Sequence, residues 1–196
     1  MKNILITVML CGLFFSSNAQ VEGFFFDSRD GNEYRTVTYE IELDGNLNVL
    51  QEWMADNLNY ESENSFCYND YLAYCEVYGR LYTWEEAPEV CPEGWHLPTS
   101  DEWQSLYKKY GTTKDAGSAL LEEGESELGL KMGGFGELND TYIDVGVNAY
   151  YWKLLGKSSK ESGLIAVHSD TGEISDVEIA DRHKNSIRCV KEYVEL

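Results

Sequence analysis

The sequence predicts an α+β fold built mostly from antiparallel strands, with two or three short helices and stabilising disulfides. Three observations lead to this class. Polar and apolar residues alternate strictly over residues 36–43, which is the period of a half-buried strand. A capping-box pattern opens an amphipathic helical segment at Thr99. From Leu128 onward, glycines separate short apolar runs, a pattern typical of strands joined by turns.

The first 19 residues are predicted to be a secretory signal peptide. Lys2 gives a weakly basic start, an apolar run covers residues 4–15, and small side chains precede a cleavage site after Ala19. This run is shorter than the roughly 20 residues that cross a bilayer, and no later stretch approaches that length, so we expect no membrane span. Residues 20–196 would then form one exported domain, extracellular, at the cell surface or in the periplasm.

The composition is strongly acidic. With 35 Asp and Glu against 15 Lys and Arg the formal net charge is −20, and loss of the signal peptide, with its one lysine, makes it −21. Proteins that bind nucleic acid by neutralising phosphates have the opposite balance, so nucleic-acid binding is excluded. Hydrophobic residues make up 43 % of the chain, which is enough for a packed core. We expect a monomeric globular domain.

The cysteines predict disulfides. Signal-peptide cleavage removes Cys11 and leaves four cysteines, an even number in an exported chain. Four cysteines allow three pairings, and the sequence alone does not choose among them. One pairing joins Cys67 to Cys75 across a short polar loop, and Cys91 to Cys189 across about a hundred residues. The alternative is a four-thiolate zinc site, but the closely spaced cysteine pairs of such sites are absent.

A β-hairpin is the first predicted element. The alternating strand over residues 36–43 runs into an Asp-Gly turn at residues 44–46, and a second strand follows over residues 47–53. Asp-Gly supplies the positive φ angles that tight hairpin turns need. The sheet is therefore expected to begin early in the chain.

Three helical segments are predicted after the hairpin. The strongest begins after Thr99, which has capping-box spacing to Glu102, and it ends before Gly111. Shorter helices are predicted over residues 83–90 and 114–123.

The C-terminal half is predicted to consist of strands and turns. The apolar runs that indicate strands lie at residues 150–152, 164–167, 174–179 and 187–194. Residues 169–172 (Ser-Asp-Thr-Gly) are predicted to form a hairpin loop.

Four sequence segments in a fixed order carry a family resemblance. They are Gln51–Tyr60 (QEWMADNLNY), Tyr78–Trp84 (YGRLYTW), Cys91–Thr99 (CPEGWHLPT) and Ile187–Lys191 (IRCVK). Together they closely resemble the Fibrobacter succinogenes major paralogous domain family, over about residues 30–192. One departure is the stretch at residues 151–155, where family members usually have a Trp-Trp-Ser-Ser-like sequence.

The resemblance implies a fold and an exported location, but no activity. It places the chain in the C-type-lectin-like superfamily, which also includes formylglycine-generating and sulfatase-modifying proteins. In that fold a cysteine at a helix end pairs with one in the last strand. The resemblance therefore implies a Cys91–Cys189 bridge and leaves Cys67 to pair with Cys75.

No catalytic motif is present in the sequence. It contains no nucleophile elbow, no Walker loop and no His-Glu-x-x-His motif. A formylglycine-type oxidase needs a reactive cysteine pair, and the resemblance assigns all four cysteines to disulfides. Because 35 acidic residues place some pair at glycosidase distance in any fold, a carboxylate-pair hydrolase has no specific signal. We expect a protein that is not an enzyme.

Calcium is the one ion that the sequence suggests, and no other cofactor is predicted. Glu137, Asn139, Asp140 and Asp144 cluster in a Gly-rich stretch, where a C-type lectin would bind calcium with carboxylates and amides. Asp and Asn are also ordinary turn formers, so the alternative is a turn without an ion. The Glu-Pro-Asn and Trp-Asn-Asp signatures of sugar-binding lectins are absent.

The three histidines are predicted to be structural. His96 lies inside a family motif, where it is expected to form a hydrogen bond that supports the turn before the main helix. His168 and His183 could meet across a hairpin, but a zinc site needs three or four ligands and the sequence offers no third.

Three adjacent aromatic residues are the candidate ligand-binding residues. Tyr150, Tyr151 and Trp152 could form a platform on which a sugar or polymer stacks. The alternative is a strand that alternates them between core and surface, which would still expose at least one.

The predicted function is noncatalytic binding at or outside the bacterial cell surface, with a glycan or a protein as ligand. Loops over about residues 133–152 and 158–184 would carry the binding face. One alternative is a secreted carboxylate-based hydrolase or accessory enzyme, which needs two carboxylates in one cleft and a raised pKa. Another is a structural envelope component, which predicts a surface with no pocket and no exposed aromatic cluster.

Overall fold

The computed structural model describes residues 20–43, 47–178, 182–191 and 194–195. The predicted signal peptide, the turn at residues 44–46 and the end of the predicted 174–179 strand lie outside the described residues. Within them the chain forms two mostly antiparallel sheets and three short α-helices, as the α+β prediction requires. The described helices are all too short to cross a membrane.

The strands and helices follow one another along the whole described chain. In order they are β1 (Val21–Phe26), β2 (Glu33–Leu43), β3 (Leu47–Met54), β4 (Ser65–Phe66), α1 (Leu72–Tyr78), β5 (Leu81–Thr83), β6 (Trp95–His96), α2 (Ser100–Lys108), α3 (Ala116–Leu120), β7 (Gly133–Glu137), β8 (Tyr142–Val145), β9 (Asn148–Leu154), β10 (Ser162–His168), β11 (Ile174–Glu178), β12 (His183–Asn185), β13 (Val190–Lys191) and β14 (Val194–Glu195). A 3-10 turn, Tyr68–Asp70, precedes α1.

The first sheet contains the predicted hairpin. Its strand order is β1-β2-β3-β13-β6, and β14 also pairs with β3. The hairpin strands pair from Thr36 opposite Met54 to Leu43 opposite Leu47. This sheet therefore brings the C-terminal strands back against the N-terminal hairpin.

The second sheet has the order β11-β10-β9-β7-β12-β5-β4, and β8 also pairs with β7. Its pairings are antiparallel except for a short parallel contact between β7 and β9. The loop over residues 169–172 joins β10 to β11, so this predicted hairpin is confirmed. β9 lies between two neighbours, and four of its seven side chains, including three in succession, are buried.

One predicted helix is confirmed, one is shorter than predicted and one is wrong. α2 begins after Thr99 with the predicted capping box. α3 covers five of the residues predicted over 114–123. Residues 83–90 begin in β5 and continue as isolated hydrogen-bonded turns, because Pro88 lacks the N–H that would continue a helix.

The core has two clusters with side chains from both sheets, and the first cluster also includes side chains of α2. In one, Trp53 packs on Trp103 with ring centroids 4.7 Å apart, and Trp103 also contacts Tyr151. The other gathers aromatic and aliphatic side chains around Trp152 and Cys189. Two bridges are present, Cys67–Cys75 and Cys91–Cys189, as the resemblance implies.

Glu102 connects α2 to the first sheet through buried hydrogen bonds. Its carboxylate accepts hydrogen bonds from the Thr99 N–H at 2.7 Å and from Gln51 Nε2 at 3.3 Å, and it contacts His96 Nε2 at 2.8 Å. The predicted supporting role of His96 is thus confirmed. Burial alone would raise the pKa of Glu102, but the bonds from His96 and Thr99 outweigh burial and hold this pKa below its ordinary value.

Replacing Glu102 by Gln is expected to weaken the dependence of stability on acid. A lowered folded-state pKa stabilises the fold above the unfolded-state pKa of about 4.5, and this contribution disappears as the pH falls through the folded-state value. The Glu102→Gln variant lacks this contribution, so its free energy of unfolding should fall less steeply between about pH 6 and about pH 3. Urea unfolding across this range measures the slope. Asp101→Asn, at an exposed carboxylate of the same helix turn, is the control, and equal slopes in the two variants would contradict the assignment.

Candidate binding site

Helix α1 lies on the surface and is fixed by a disulfide. Cys75 is its buried residue, and the bridge to Cys67 ties the helix to the preceding turn. Tyr71, Leu72 and Val77 expose 66 %, 71 % and 52 % of their surface. A helix of seven residues has little stability of its own, so the bridge, rather than burial, holds these apolar side chains in place at the surface.

Tyrosines from α1, from the turn before it and from β8 form a continuous group, here called the tyrosine cluster. Its members are Tyr68, Tyr71, Tyr74, Tyr78 and Tyr142. Ring centroids are 5.1 Å apart for Tyr68 and Tyr142, 5.4 Å for Tyr68 and Tyr74, and 6.1 Å for the stacked pair Tyr74 and Tyr78. The cluster runs from buried Tyr68 to exposed Tyr71, so part of its ring surface is open to a ligand.

A cleft of about 270 Å³, lined mostly by polar residues and here called the polar cleft, lies against another side of α1. It is lined by Asp30, Asn32, Asn59, Glu61, Leu72, Cys75, Glu76 and Arg80. The tyrosines at positions 71, 74 and 78 share one helix face, whereas the lining residues at 72, 75 and 76 share the next. The cleft and the tyrosine cluster therefore flank the same helix.

The cleft presents mostly hydrogen-bond acceptors. Buried Arg80 pairs with exposed Glu61, with Nη2 and Oε2 3.0 Å apart. Asn59 Oδ1 is buried and has no hydrogen-bond partner among the described residues. With the carboxylates of Asp30 and Glu76, the lining combines several acceptors with guanidinium and amide donors. This combination suits a ligand with many hydroxyl groups.

The predicted aromatic platform is wrong for two of its three residues. Tyr151 and Trp152 are fully buried, and Trp152 donates from Nε1 to the Tyr82 carbonyl at 2.6 Å. Tyr150 is half-buried, and its hydroxyl donates to Asp144 at 2.6 Å. The prediction failed because β9 is an interior strand. Side chains alternate between core and solvent only where one face of a sheet is solvated.

The predicted calcium ligands do not converge. Glu137 accepts a hydrogen bond from Asn139 at 3.1 Å, and Asp140 is paired with the buried Lys184 at 2.7 Å. Asp144 accepts from Tyr150, and both Asp140 and Asp144 have the positive φ angles of turn residues. In the described part of the chain, no three His, Cys, Asp or Glu side chains form a group that could hold a metal ion. The structure thus supports the alternative, a turn.

The other two histidines, on β10 and β12, contact different neighbouring side chains. His168 Nε2 lies 3.0 Å from the Ser175 hydroxyl, and the His183 ring packs edge-on against Phe135 at 5.0 Å.

A raised carboxyl pKa occurs at the surface and outside the cleft. A hydrogen bond with Glu22, followed by the charge of Glu22, raises the pKa of fully exposed Glu127. Neither residue lines the cleft. A general acid of a glycosidase is expected in a desolvated cleft, so this pair does not resemble one.

Helix α1 and its tyrosine cluster are not among the elements and sites predicted from the sequence. Positions 68, 71, 74 and 78 are spaced by three, three and four residues, which is helical spacing, but the segment resembles a polar loop between two cysteines. That spacing was the signal that could have identified the site. The side of the cleft opposite α1 is formed by residues 30–32 and 59–61, and sequence alone gives no reason to place these residues beside α1.

Comparison with known proteins identifies a family for this chain. The model of the Fibrobacter succinogenes major domain matches residues 49–191, more than half of the chain. No curated protein and no solved structure matches the chain.

Proposed function

The chain belongs to the Fibrobacter succinogenes major domain family, and we propose that it is an exported, noncatalytic recognition domain that binds a neutral glycan. In this proposal it has a C-type-lectin-like fold and acts at or outside the cell surface. The observation that carries the proposal is the position of the tyrosine cluster and the polar cleft on adjacent faces of α1. The two disulfides are compatible with an oxidising compartment.

The tyrosine cluster supplies the apolar half of the proposed recognition. The C–H face of a sugar ring packs on an aromatic ring, and a tyrosine hydroxyl adds a hydrogen bond at the rim. The Tyr142 hydroxyl donates to Asp70 Oδ1 at 3.4 Å, and burial, followed by the charge of Asp70, raises its pKa to about 12. Tyr71 offers the most exposed ring of the cluster.

The cleft supplies the polar half. Sugar hydroxyls can donate to the carboxylates of Glu61 and Glu76, and they can accept from Arg80. The net charge of −20 and the carboxylates in the cleft oppose a polyanionic glycan. The proposal therefore names a neutral polysaccharide.

The alternatives receive less support. A hydrolase would need a cleft carboxylate with a raised pKa. Among the described residues, Glu127 has a raised carboxyl pKa, but it is exposed and lies outside the cleft. A purely structural component predicts a surface without pocket or exposed aromatic cluster, in contrast to the α1 region.

Binding to immobilised neutral polysaccharides, such as xylan, mannan and mixed-linkage glucan, tests the proposal. We expect residues 20–196 to bind at least one of them, and Tyr71→Ala and Glu76→Ala each to weaken binding at least about tenfold, or about 1.4 kcal/mol. Both side chains are exposed, so melting temperatures should stay unchanged. Leu138→Ala, at another exposed apolar residue, is the control. The proposal fails if no neutral polysaccharide binds, or if all three variants bind like the unaltered protein.

A further inference from the structure

Strand β1 forms an open edge of the first sheet. It pairs with β2 on one side, and no described strand pairs with its other side. Val21, Phe24 and Phe26 expose 62 %, 69 % and 62 % of their surface. Phe24 and Phe26 are two positions apart in a strand, so they lie on the same face. This edge combines free backbone hydrogen-bonding groups with exposed phenylalanines.

Such an edge is a template for another strand. Soluble proteins usually protect edge strands with charges, prolines or bulges. β1 has one charged residue, Glu22, and residues 23–26 have none. On a chain with a net charge of −20, this is an uncharged segment that a second copy can approach without placing carboxylates face to face.

We propose that β1 pairs antiparallel with β1 of a second copy, joining two first sheets into one continuous sheet. The two-fold axis of such a pair is perpendicular to the sheet and leaves each side chain on its own face. Directly opposed residues also share a face, so the axis must pass through a residue pair and not between residues. The registers that pair five residues per strand are those centred on Gly23 and on Phe24.

The register centred on Phe24 is favoured by charge and by packing. It places the two Phe24 side chains opposite each other and Phe26 opposite the aliphatic stem of Glu22. The two Glu22 residues are then four strand positions apart, or about 13 Å, beyond the Debye length of about 8 Å at physiological salt. Centring on Gly23 would bring these carboxylates within two positions of each other. The proposed dimer therefore meets at Phe24.

The dimer is expected to be weak. Five or six residues per side are fewer than the roughly 20 to 30 of a standard interface, so we expect a dissociation constant between about 10 µM and about 1 mM. Because both copies are acidic, added salt should strengthen the association. This proposal replaces the expectation of a monomer with a concentration-dependent dimer.

Cysteine cross-linking tests the register. Opposed Cβ atoms in an antiparallel pair are about 4.5 to 5.5 Å apart, close to the reach of a disulfide. Under mild oxidation we expect Phe24→Cys to form an intermolecular disulfide at least about tenfold faster than Phe26→Cys, because two residues at position 26 would be about 13 Å apart. Equal rates in the two variants, or no cross-link at position 24, would overturn the register.

Sedimentation equilibrium tests the dimer itself. The average mass of residues 20–196 should rise with concentration, and more so at higher salt, whereas Phe24→Glu should stay monomeric. Phe24 is exposed, so circular dichroism should show an unchanged fold in this variant. Wild-type protein that remains monomeric up to about 1 mM would refute the dimer, and this outcome leaves the glycan proposal untouched.

Discussion

Replacing Arg188 by Ala is expected to lower the free energy of unfolding by about 3 to 5 kcal/mol. Arg188 is fully buried, and its guanidinium donates to the carbonyls of Met54, Leu128 and Gly129 at 3.0, 2.7 and 2.6 Å and to Asn57 Oδ1 at 2.7 Å. Truncation to Ala would remove the donor from these four acceptors in the core. A buried, unpaired acceptor costs about 1 to 3 kcal/mol, which relief of the buried charge partly offsets.

Denaturant unfolding measures this effect, and Arg35→Ala is the control. Arg35 makes a salt bridge to Asp56 at 2.9 Å, but 53 % of its side chain is exposed, so its loss should cost less than about 1 kcal/mol. Arg188→Lys should be intermediate because an ammonium group cannot reproduce the planar set of donors. Similar unfolding midpoints for Arg188→Ala and Arg35→Ala would contradict the role of Arg188 as a structural hub.

The hydrogen bonds of Arg188 also help to position the candidate site. Asn57, which receives a hydrogen bond from Arg188, donates from Nδ2 to the carbonyl of Tyr78 at 2.7 Å. Tyr78 is the last residue of α1 and a member of the tyrosine cluster. Tyr151 donates to the same Asn57 oxygen at 2.8 Å, which explains why this residue is a core residue and not a platform. One hydrogen-bonded network thus joins residues of three family motifs, Asn57, Tyr78 and Arg188, at the end of α1.

The family motifs identify the family, and they also supply the core. Trp53 and Asn57 from the first motif, Leu97 from the third, and Arg188 and Cys189 from the last are all buried. The hairpin and the capping box were predictable for a different reason, since their signals lie within a few consecutive residues. Such local and core features identify a scaffold, but they contain little information about its ligand.

The candidate site could not be predicted from the same signals. The strands that flank β9 and the elements that cover the two faces of its sheet decide whether Tyr150, Tyr151 and Trp152 are exposed. No local sequence pattern specifies these neighbours. α1 buries little beyond Cys75, so its sequence lacks the apolar stripe by which helices are recognised. The cleft combines residues about 50 positions apart in sequence, and only the tertiary fold brings them together.

Removing the Cys91–Cys189 bridge is expected to have the other large effect on stability. The bridge spans 98 residues, and in the chain-entropy model a loop of this length contributes roughly 4 to 5 kcal/mol by restricting the unfolded chain. The Cys67–Cys75 bridge spans 8 residues, for which the same model gives roughly 2 to 3 kcal/mol. The Cys91→Ala, Cys189→Ala double variant should therefore unfold at clearly lower denaturant than the Cys67→Ala, Cys75→Ala variant.

For binding, loss of the Cys67–Cys75 bridge should have the larger effect. Hydrogen bonds to the carbonyls of Val77 and Tyr78 hold the last turn of α1, whereas the Cys67–Cys75 bridge holds the part before it. Loss of this bridge therefore lets the helix loosen while the rest of the domain stays folded. We expect at least about tenfold weaker binding to a neutral polysaccharide in that variant, and near-normal binding in the Cys91→Ala, Cys189→Ala variant under conditions where it is folded. If each variant lost binding only in proportion to its loss of folded protein, α1 would not be part of the binding surface. If loss of Cys91–Cys189 mainly lowered stability and loss of Cys67–Cys75 mainly weakened binding, α1 would be part of the binding surface.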